Sequence, residues 1–509
     1  MQNFYSYCRQ RFEDDDLFLQ DISTGIHFNY GDLHRESGLI ANKLKELGLQ
    51  KGDRVLFQLD KSPQGLFWYF ACLRSGIVFV PLNTAYQTKE IEYFLNNAEP
   101  KLVLCNPKQK NIFDSLCAKR KLDCNILVLD LNGSDENSDE SFNETQDDFT
   151  DCECKTDDTA VILYTSGTTG QPKGAMITHG NLITNALALS KAWHWQQNDI
   201  LIHALPIFHI HGLFVATHLA VFNSSAILFL EKFDPVEISK LLPQATVYMG
   251  VPTHYVRLLK NENFDKRACA NMRLFTSGSA PLLAQTFVEF EERTNQTIVE
   301  RYGMTETGMN TSNPYSGKRK PGTVGFMLDG VEGKIIESDG TEAISGNPGT
   351  LYVKGKNVFK GYWRMPEKTE EEFSEDGYFK TGDIAIKDTE GYISIIGRNK
   401  DMIITGGLNV YPKELESIID KLPGVLESAV IGVVDEDFGE AVTAVIVKKS
   451  IKKGVNDNNT DTTSKENIIN ALKALVANFK VPKNIHFVDE LPRNTMGKVQ
   501  KVVLREMFA

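Results

Sequence analysis

The stretch Tyr164–Gly174, "YTSGTTGQPKG", sets the reading of the chain. Glycines at 167, 170 and 174 allow tight turns, hydroxyls at 165, 166, 168 and 169 offer donors, and Lys173 brings a cation. Backbone N–H groups, hydroxyls and an ammonium together favour an anion, so the loop suits phosphate. It is not the common nucleotide loop, because Gly174 follows the lysine where that motif needs Ser or Thr.

Outward from this loop, strand and helix patterns alternate. "DRVLFQL" (53–59) and "GIVFVPL" (76–82) read as short apolar strands around a buried helix, "GLFWYFACLRSG" (65–76). Before them, "YGDLHRESGLIANKLKELGL" (30–49) has helical spacing and ends at Gly48. "AILFL" (226–230), "ATVYMGVP" (245–252) and "MRLFTSGSAPL" (272–282) repeat the strand-and-turn pattern. Such alternation predicts layered parallel α/β sheets, in which ligands sit where strands end. The loops at 165–174 and 277–281 fall at such ends.

From about Gly322 the texture changes to short strands and turns, which predicts a small β subdomain. A boundary is expected at 398–401, giving an N-terminal α/β core domain, 1–399, and a small mobile α+β lid, 400–509. Polar "KGVNDNNTDTTSKE" (453–466) reads as a linker within the lid.

The net charge of −12 is local, because residues 130–158 hold twelve Asp or Glu against the single Lys155. That stretch reads as a solvated, mobile surface loop, and the near-neutral remainder offers no surface for nucleic acid. No uncharged apolar run approaches the roughly 18 residues of a membrane span. The first twenty residues lack a secretory core, and their acidic run 13–16 is unlike a transit peptide. The eight cysteines have no zinc spacing, and Cys152 and Cys154 read as exposed thiols. A cytoplasmic protein without stable membrane association is expected.

Four motifs stand in a telling order: "YTSGTTGQPKG", "RYGMTET" (301–307), "YFKTGD" (378–383) and "PRNTMGKVQK" (492–501). In this order and spacing they resemble the adenylate-forming superfamily, which includes acyl-CoA synthetases. The resemblance spans nearly the whole chain and implies ATP, Mg2+ and CoA. It assigns Thr165, Ser166, Gly167, Thr168, Thr169, Gly170 and Lys173 to the triphosphate, and the "SGSAP" residues Ser277, Gly278 and Ser279 to the adenine side. Tyr302 would stack on adenine, Thr305 would contact the α-phosphate and Glu306 would hold the magnesium. Asp383 would accept the ribose hydroxyls, with Arg398 nearby. Lys498 would bridge carboxylate and α-phosphate. Lys400 would be the hinge about which the lid turns to present Gly406 and Gly407 to an entering thiol. Chemically, activating a carboxylate on the α-phosphate requires positioning and charge neutralisation rather than a protein nucleophile.

Cations near the acyl side suggest which acid is activated. Arg301 precedes the motif tyrosine, Arg257 lies in "GVPTHYVRLL", and His209 and His211 lie in "LPIFHIHGL". A buried carboxylate is costly unless a guanidinium or similar partner holds it, so a small dicarboxylic acid is expected. The segments "LIHALPIFHIHGLFVA", "GVPTHYVRLL", "ERYGMTETGMNTSNPY" and "GGLNVYPKELE" resemble the malonyl-CoA synthetase family. That resemblance implies malonate as substrate, with methylmalonate possible, and His209, Arg257 and Arg301 around it. The alternatives are a medium-chain or aryl acyl-CoA synthetase and, from another class, a non-catalytic nucleotide-binding protein.

Overall fold

The computed structural model describes residues 3–129, 149–165, 172–406, 408–435, 437–449, 463–494 and 497–509. The loop quoted above closes a hairpin: strand Thr159–Thr165 pairs antiparallel with Lys173–Thr178, and Thr165 faces Lys173 across it. Ser166, Gly167, Thr168, Thr169 and Gly170 lie outside the described residues.

The hairpin belongs to a seven-stranded sheet in the order Gly361–Tyr362, Lys173–Thr178, Thr159–Thr165, Val78–Pro81, Arg54–Gln58, Leu102–Cys105, Asn125–Val128. From Thr159–Thr165 onward the neighbours run parallel, as the alternation predicts. Continuous apolar runs such as Val55–Phe57 are buried, as parallel strands covered on both faces require. Helix Pro63–Ser75 starts with the Ser62 hydroxyl capping Gly65 N–H, and Gly76 ends it at φ 67°. It is buried around almost its whole circumference, in a core shared with residues of the second large sheet.

That second sheet has nine strands, and its central five, Ile298–Met304, Leu274–Ser277, Val247–Gly250, Ile200–His203 and Ala226–Phe229, are parallel. Leu17–Asp21 continues the parallel run, and antiparallel strands close both edges. A four-stranded antiparallel sheet, Val331–Ile336, Gly349–Gly355, Phe379–Lys387 and Ile393–Arg398, forms the β subdomain. Beyond the short turn Asn399–Asp401, a five-stranded sheet with helices Pro412–Ile419 and Lys465–Lys473 encloses its own apolar core. The fold is thus α/β, with a large N-terminal domain and a small C-terminal one.

The acidic stretch needs a correction. Residues 130–148 lie outside the described ones, but the segment that follows is docked rather than solvated. Asp151 sits 2.6 Å from the Nε of Arg74, which is 1% exposed, and accepts a second bond of 2.6 Å from the Ser6 hydroxyl. A buried guanidinium demands a carboxylate, and this one comes from 77 residues away. Cys154, expected exposed, is buried for the same reason, while Cys152 is half-buried. Among the described residues no helix is long and apolar enough to cross a membrane.

Candidate active site

Strand register assembles the first part of the site. Asp383 and Arg398 face one another on neighbouring strands, with Arg398 Nε 2.8 Å from Asp383 Oδ1. The Tyr302 hydroxyl, at the end of a strand from the large sheet, donates to the other oxygen of Asp383. The Asp383 charge raises the guanidinium of Arg398 above its ordinary range. Burial, and then the same carboxylate, raises the Tyr302 phenol well above its own. Three residues assigned separately from motifs therefore form one bonded group.

Next to it, the turn after Tyr302 carries Thr305 and Glu306. Glu306 is 5% exposed, and its Oε1 accepts from Thr165 Oγ1 at 3.3 Å and from the Tyr362 hydroxyl at 3.1 Å. Among the described residues no cation lies within ion-pair distance of this carboxylate, although Thr165 reaches it from the phosphate-type loop. A buried carboxylate held only by neutral hydroxyls suits a hard divalent cation. No cluster of three or more His, Cys, Asp or Glu exists that could hold a metal among the described residues. Magnesium is commonly held by one or two carboxylates and the substrate's phosphates, and Glu306 can supply such a carboxylate. Lys173 lies beside Glu306's partner: its Nζ is 4.2 Å above the Tyr362 ring and 3.3 Å from Glu372 Oε1.

Arg301 points to the other side of the same strand. It is 4% exposed, and its Nε and Nη2 have no hydrogen-bond partner. It forms no ion pair among the described residues, and the neighbouring Glu300 carboxyl instead accepts the Gly322 N–H at 3.1 Å. Burial pushes Glu300 up to about 8 and Arg301 down to about 9. The guanidinium packs on Gly278, where an added Cβ would lie 2.4 Å from Arg301 Cζ, so a larger residue there would displace the guanidinium. His209 is pushed down to about 3 by burial, then by Lys498 and Arg301. His211 is pushed well below its usual value by burial and then Arg301. Its Nδ1 is 3.3 Å from the Ser279 hydroxyl, and its Nε2 has no partner. Ser277 Oγ is likewise buried and unpaired. Buried polar atoms without partners are uncommon, so this cluster of them marks a place suited to a polar guest.

Lys498 reaches this place from the C-terminal domain. The residue keeps an open face, yet enough protein surrounds it to push its ammonium down to about 8, with the Arg398 charge as second cause. The charges of Asp383, Glu306 and Arg301 also act on it. Its ammonium is thus within electrostatic reach of both the Asp383–Glu306 group and Arg301.

Other expected residues are placed elsewhere. Arg257 is exposed on helix Pro252–Leu258 and adds to the depression of His254, whose Nδ1 bonds the Tyr248 hydroxyl at 2.8 Å. It is not packed with Arg301. Lys400 is exposed in the turn Asn399–Asp401 between the two domains. Gly406, at φ 57°, turns the hairpin between Ile403–Thr405 and Leu408–Val410. Gly407 lies outside the described residues. Tyr362 and Glu372 were missed, since "KGYWRMPEKTEEEF" reads as a strand end and a solvated acidic helix.

Residues 8–363 match the AMP-binding enzyme family and residues 414–498 its C-terminal domain, so the chain belongs to the AMP-binding enzymes. A protein named malonate–CoA ligase from Arabidopsis thaliana is 36% identical over 96% of this chain and 82% of its own length. The crystal structure of ATP-bound MatB from Rhodopseudomonas palustris is 47% identical, covers 100% of this chain and 99% of its own, and superposes with a TM-score of 0.93. The apo form of that MatB, at the same identity and coverage, gives 0.84.

Proposed function

We propose that this chain is an ATP-dependent ligase that joins malonate to CoA through an acyl-adenylate, giving malonyl-CoA, AMP and pyrophosphate. The observation that carries the reading is Arg301: a buried guanidinium with two unpaired donors and, among the described residues, no carboxylate to neutralise it. A short diacid supplies that carboxylate, while its other end reaches Lys498. The likeness to a named malonate–CoA ligase and to MatB supports the same acid.

In this reading Arg301 grips the distal carboxylate, and His209 and His211, neutral in the working range, line the pocket beside it. Arg257 is a second cation at the outer edge. Asp383 and Arg398 take the ribose, with Tyr302 against the adenine. Ser277, Gly278 and Ser279 form the neighbouring wall. Thr305, Lys173, Thr165 and the hydroxyls of 166–170 hold the phosphates. A divalent cation held at Glu306 would neutralise charge on the departing pyrophosphate. The Lys498 ammonium draws the near carboxylate and the α-phosphate together, so attack follows from positioning and charge neutralisation. The lid, 400–509, then turns about Lys400 so that the Gly406–Gly407 face replaces Lys498 and CoA enters. The free thiols favour a cytoplasmic setting. A methylmalonate methyl changes binding by roughly 1–3 kcal/mol, so both acids belong in the assay.

The test is pyrophosphate release with a panel of mono- and dicarboxylic acids, with and without CoA, for the native enzyme and Arg301→Ala. The variant should raise the malonate KM about 30-fold or more while leaving the ATP KM near its native value. Preference for octanoate or benzoate over malonate in the native enzyme would instead favour a medium-chain or aryl ligase.

A further inference from the structure

Tyr362 lies outside the four motifs, yet it touches two charged groups of the phosphate side at once. It belongs to the two-residue strand Gly361–Tyr362, which pairs with Lys173–Thr178, Tyr362 opposite Ala175. That register sets its ring beneath the first residue of the partner strand, Lys173, whose Nζ sits 4.2 Å from the ring centroid. Its hydroxyl points the other way and donates to Glu306 Oε1 at 3.1 Å.

The residue is held rigidly. It is 3% exposed, its ring meets Phe359 edge-on at 4.8 Å, and its N–H donates to Thr369 Oγ1 at 2.8 Å. Phe359 N–H in turn donates to the Glu306 carbonyl at 2.7 Å, so tyrosine and glutamate are fixed relative to each other through two separate bonds. Both hydroxyl donors to Glu306, from Thr165 and Tyr362, fall on Oε1. Oε2 has no bond among the described residues. A phenol that occupies one oxygen of a carboxylate fixes its plane and turns the other oxygen outward, as supporting groups do for metal ligands.

We infer that Tyr362 is a positioning residue for magnesium-bound ATP: its hydroxyl fixes Glu306 with Oε2 toward the cation, while its ring face steadies Lys173 near the triphosphate. The inference rests on the proposed role of Glu306 but not on the identity of the acid.

Tyr362→Phe isolates the hydroxyl, because phenylalanine keeps the ring, its packing and its cation–π face. Calorimetric titration without any acid should give about tenfold weaker binding of ATP in magnesium. ATP in EDTA should bind as it does to the native protein. Unchanged affinity in magnesium overturns the inference, and so does an equal loss in both conditions, which would make Tyr362 merely structural support. Thr165→Val, which removes the other hydroxyl on Oε1 together with a proposed phosphate contact, should weaken ATP binding in both conditions, with a further magnesium-specific loss smaller than that of Tyr362→Phe. If Tyr362→Phe does not fold, no magnesium-specific loss in Thr165→Val overturns the inference. Glu306→Gln separates the two layers: if magnesium strengthens ATP binding to it as fully as to the native protein, the cation role of Glu306 fails as well.

Discussion

Lys498 has to leave water to meet two anions, and the protein loosens its hold on the proton as it does so. Its ordinary value lies well above the physiological range, but burial and Arg398 bring it down to about 8. A depressed lysine is charged below its pKa and neutral above it, and the proposed step needs the ammonium. For adenylation, kcat/KM, which reports the free enzyme, should hold up to about pH 8 and fall beyond it. Arg301 keeps its guanidinium charge throughout this range, so the first alkaline limb belongs to Lys498. Lys498→Arg should move that limb upward even if it lowers the plateau. Lys498→Ala should cut adenylation about a hundredfold or more yet still convert a supplied malonyl-adenylate and CoA to thioester. Equal loss in both half-reactions would remove Lys498 from its proposed place.

At the scale of elements, the proposed acyl side rests on a π-helix, His211–Thr217, that begins two residues after His209. Such turns are uncommon and often mark functional sites. This one is anchored from below by His203, whose Nε2 donates to the Gly212 carbonyl at 2.9 Å. The tautomer follows from Lys61, which donates to His203 Nδ1 at 3.0 Å and to the carbonyls of His203 and Leu230 at 2.9 and 2.6 Å. Gly212 must be glycine, since a Cβ there would lie 2.0 Å from the Pro206 carbonyl oxygen. His203→Leu leaves both Lys61 and the Gly212 carbonyl short of a partner. It should lower stability by about 1–3 kcal/mol, seen in denaturant unfolding. It should also raise the malonate KM more than the ATP KM, whereas an equal rise in both would deny the π-helix a special role in the acyl pocket.

Parallel strands such as Arg54–Gln58 were legible because strands buried on both faces are continuous apolar runs. The bonded group of Tyr302, Asp383 and Arg398 was legible only as separate motif residues, because register, not sequence spacing, brings Asp383 opposite Arg398. Arg74 with Asp151, and Tyr362 with Glu306, were hidden for a related reason: each pair joins residues far apart in sequence through tertiary packing. Where Arg257 stands relative to Arg301 was not legible, since residue type alone does not say which face of Pro252–Leu258 the guanidinium leaves from.

At the scale of the whole molecule, the arrangement is one of two that the proposed reaction needs. Lys498 stands in the cleft, and Gly497 presses so near the core that an added Cβ would be 3.0 Å from Thr253 Oγ1. Meanwhile Ile404 and Leu408 of the hairpin around Gly406, and Phe438 in the turn bonded to Gly406 N–H, remain exposed. The chain also superposes better on ATP-bound MatB than on the apo form, 0.93 against 0.84. Exposed apolar side chains on the domain that carries Lys498 offer contact surface for a second orientation. The connection that would turn is the short turn Asn399–Asp401, closed by Met402 N–H on the carbonyls of Arg398 and Asn399 at 3.0 and 3.3 Å. Lys400 gives no backbone hydrogen to that turn, so proline there removes no bond of the observed arrangement while freezing the φ a rotation must change. Lys400→Pro should therefore keep pyrophosphate release in a single turnover near the native rate and slow thioester formation by about tenfold or more. If proline slowed both half-reactions alike, or neither, the lid would have to pivot elsewhere, and the turn after Arg398 would be only a tether.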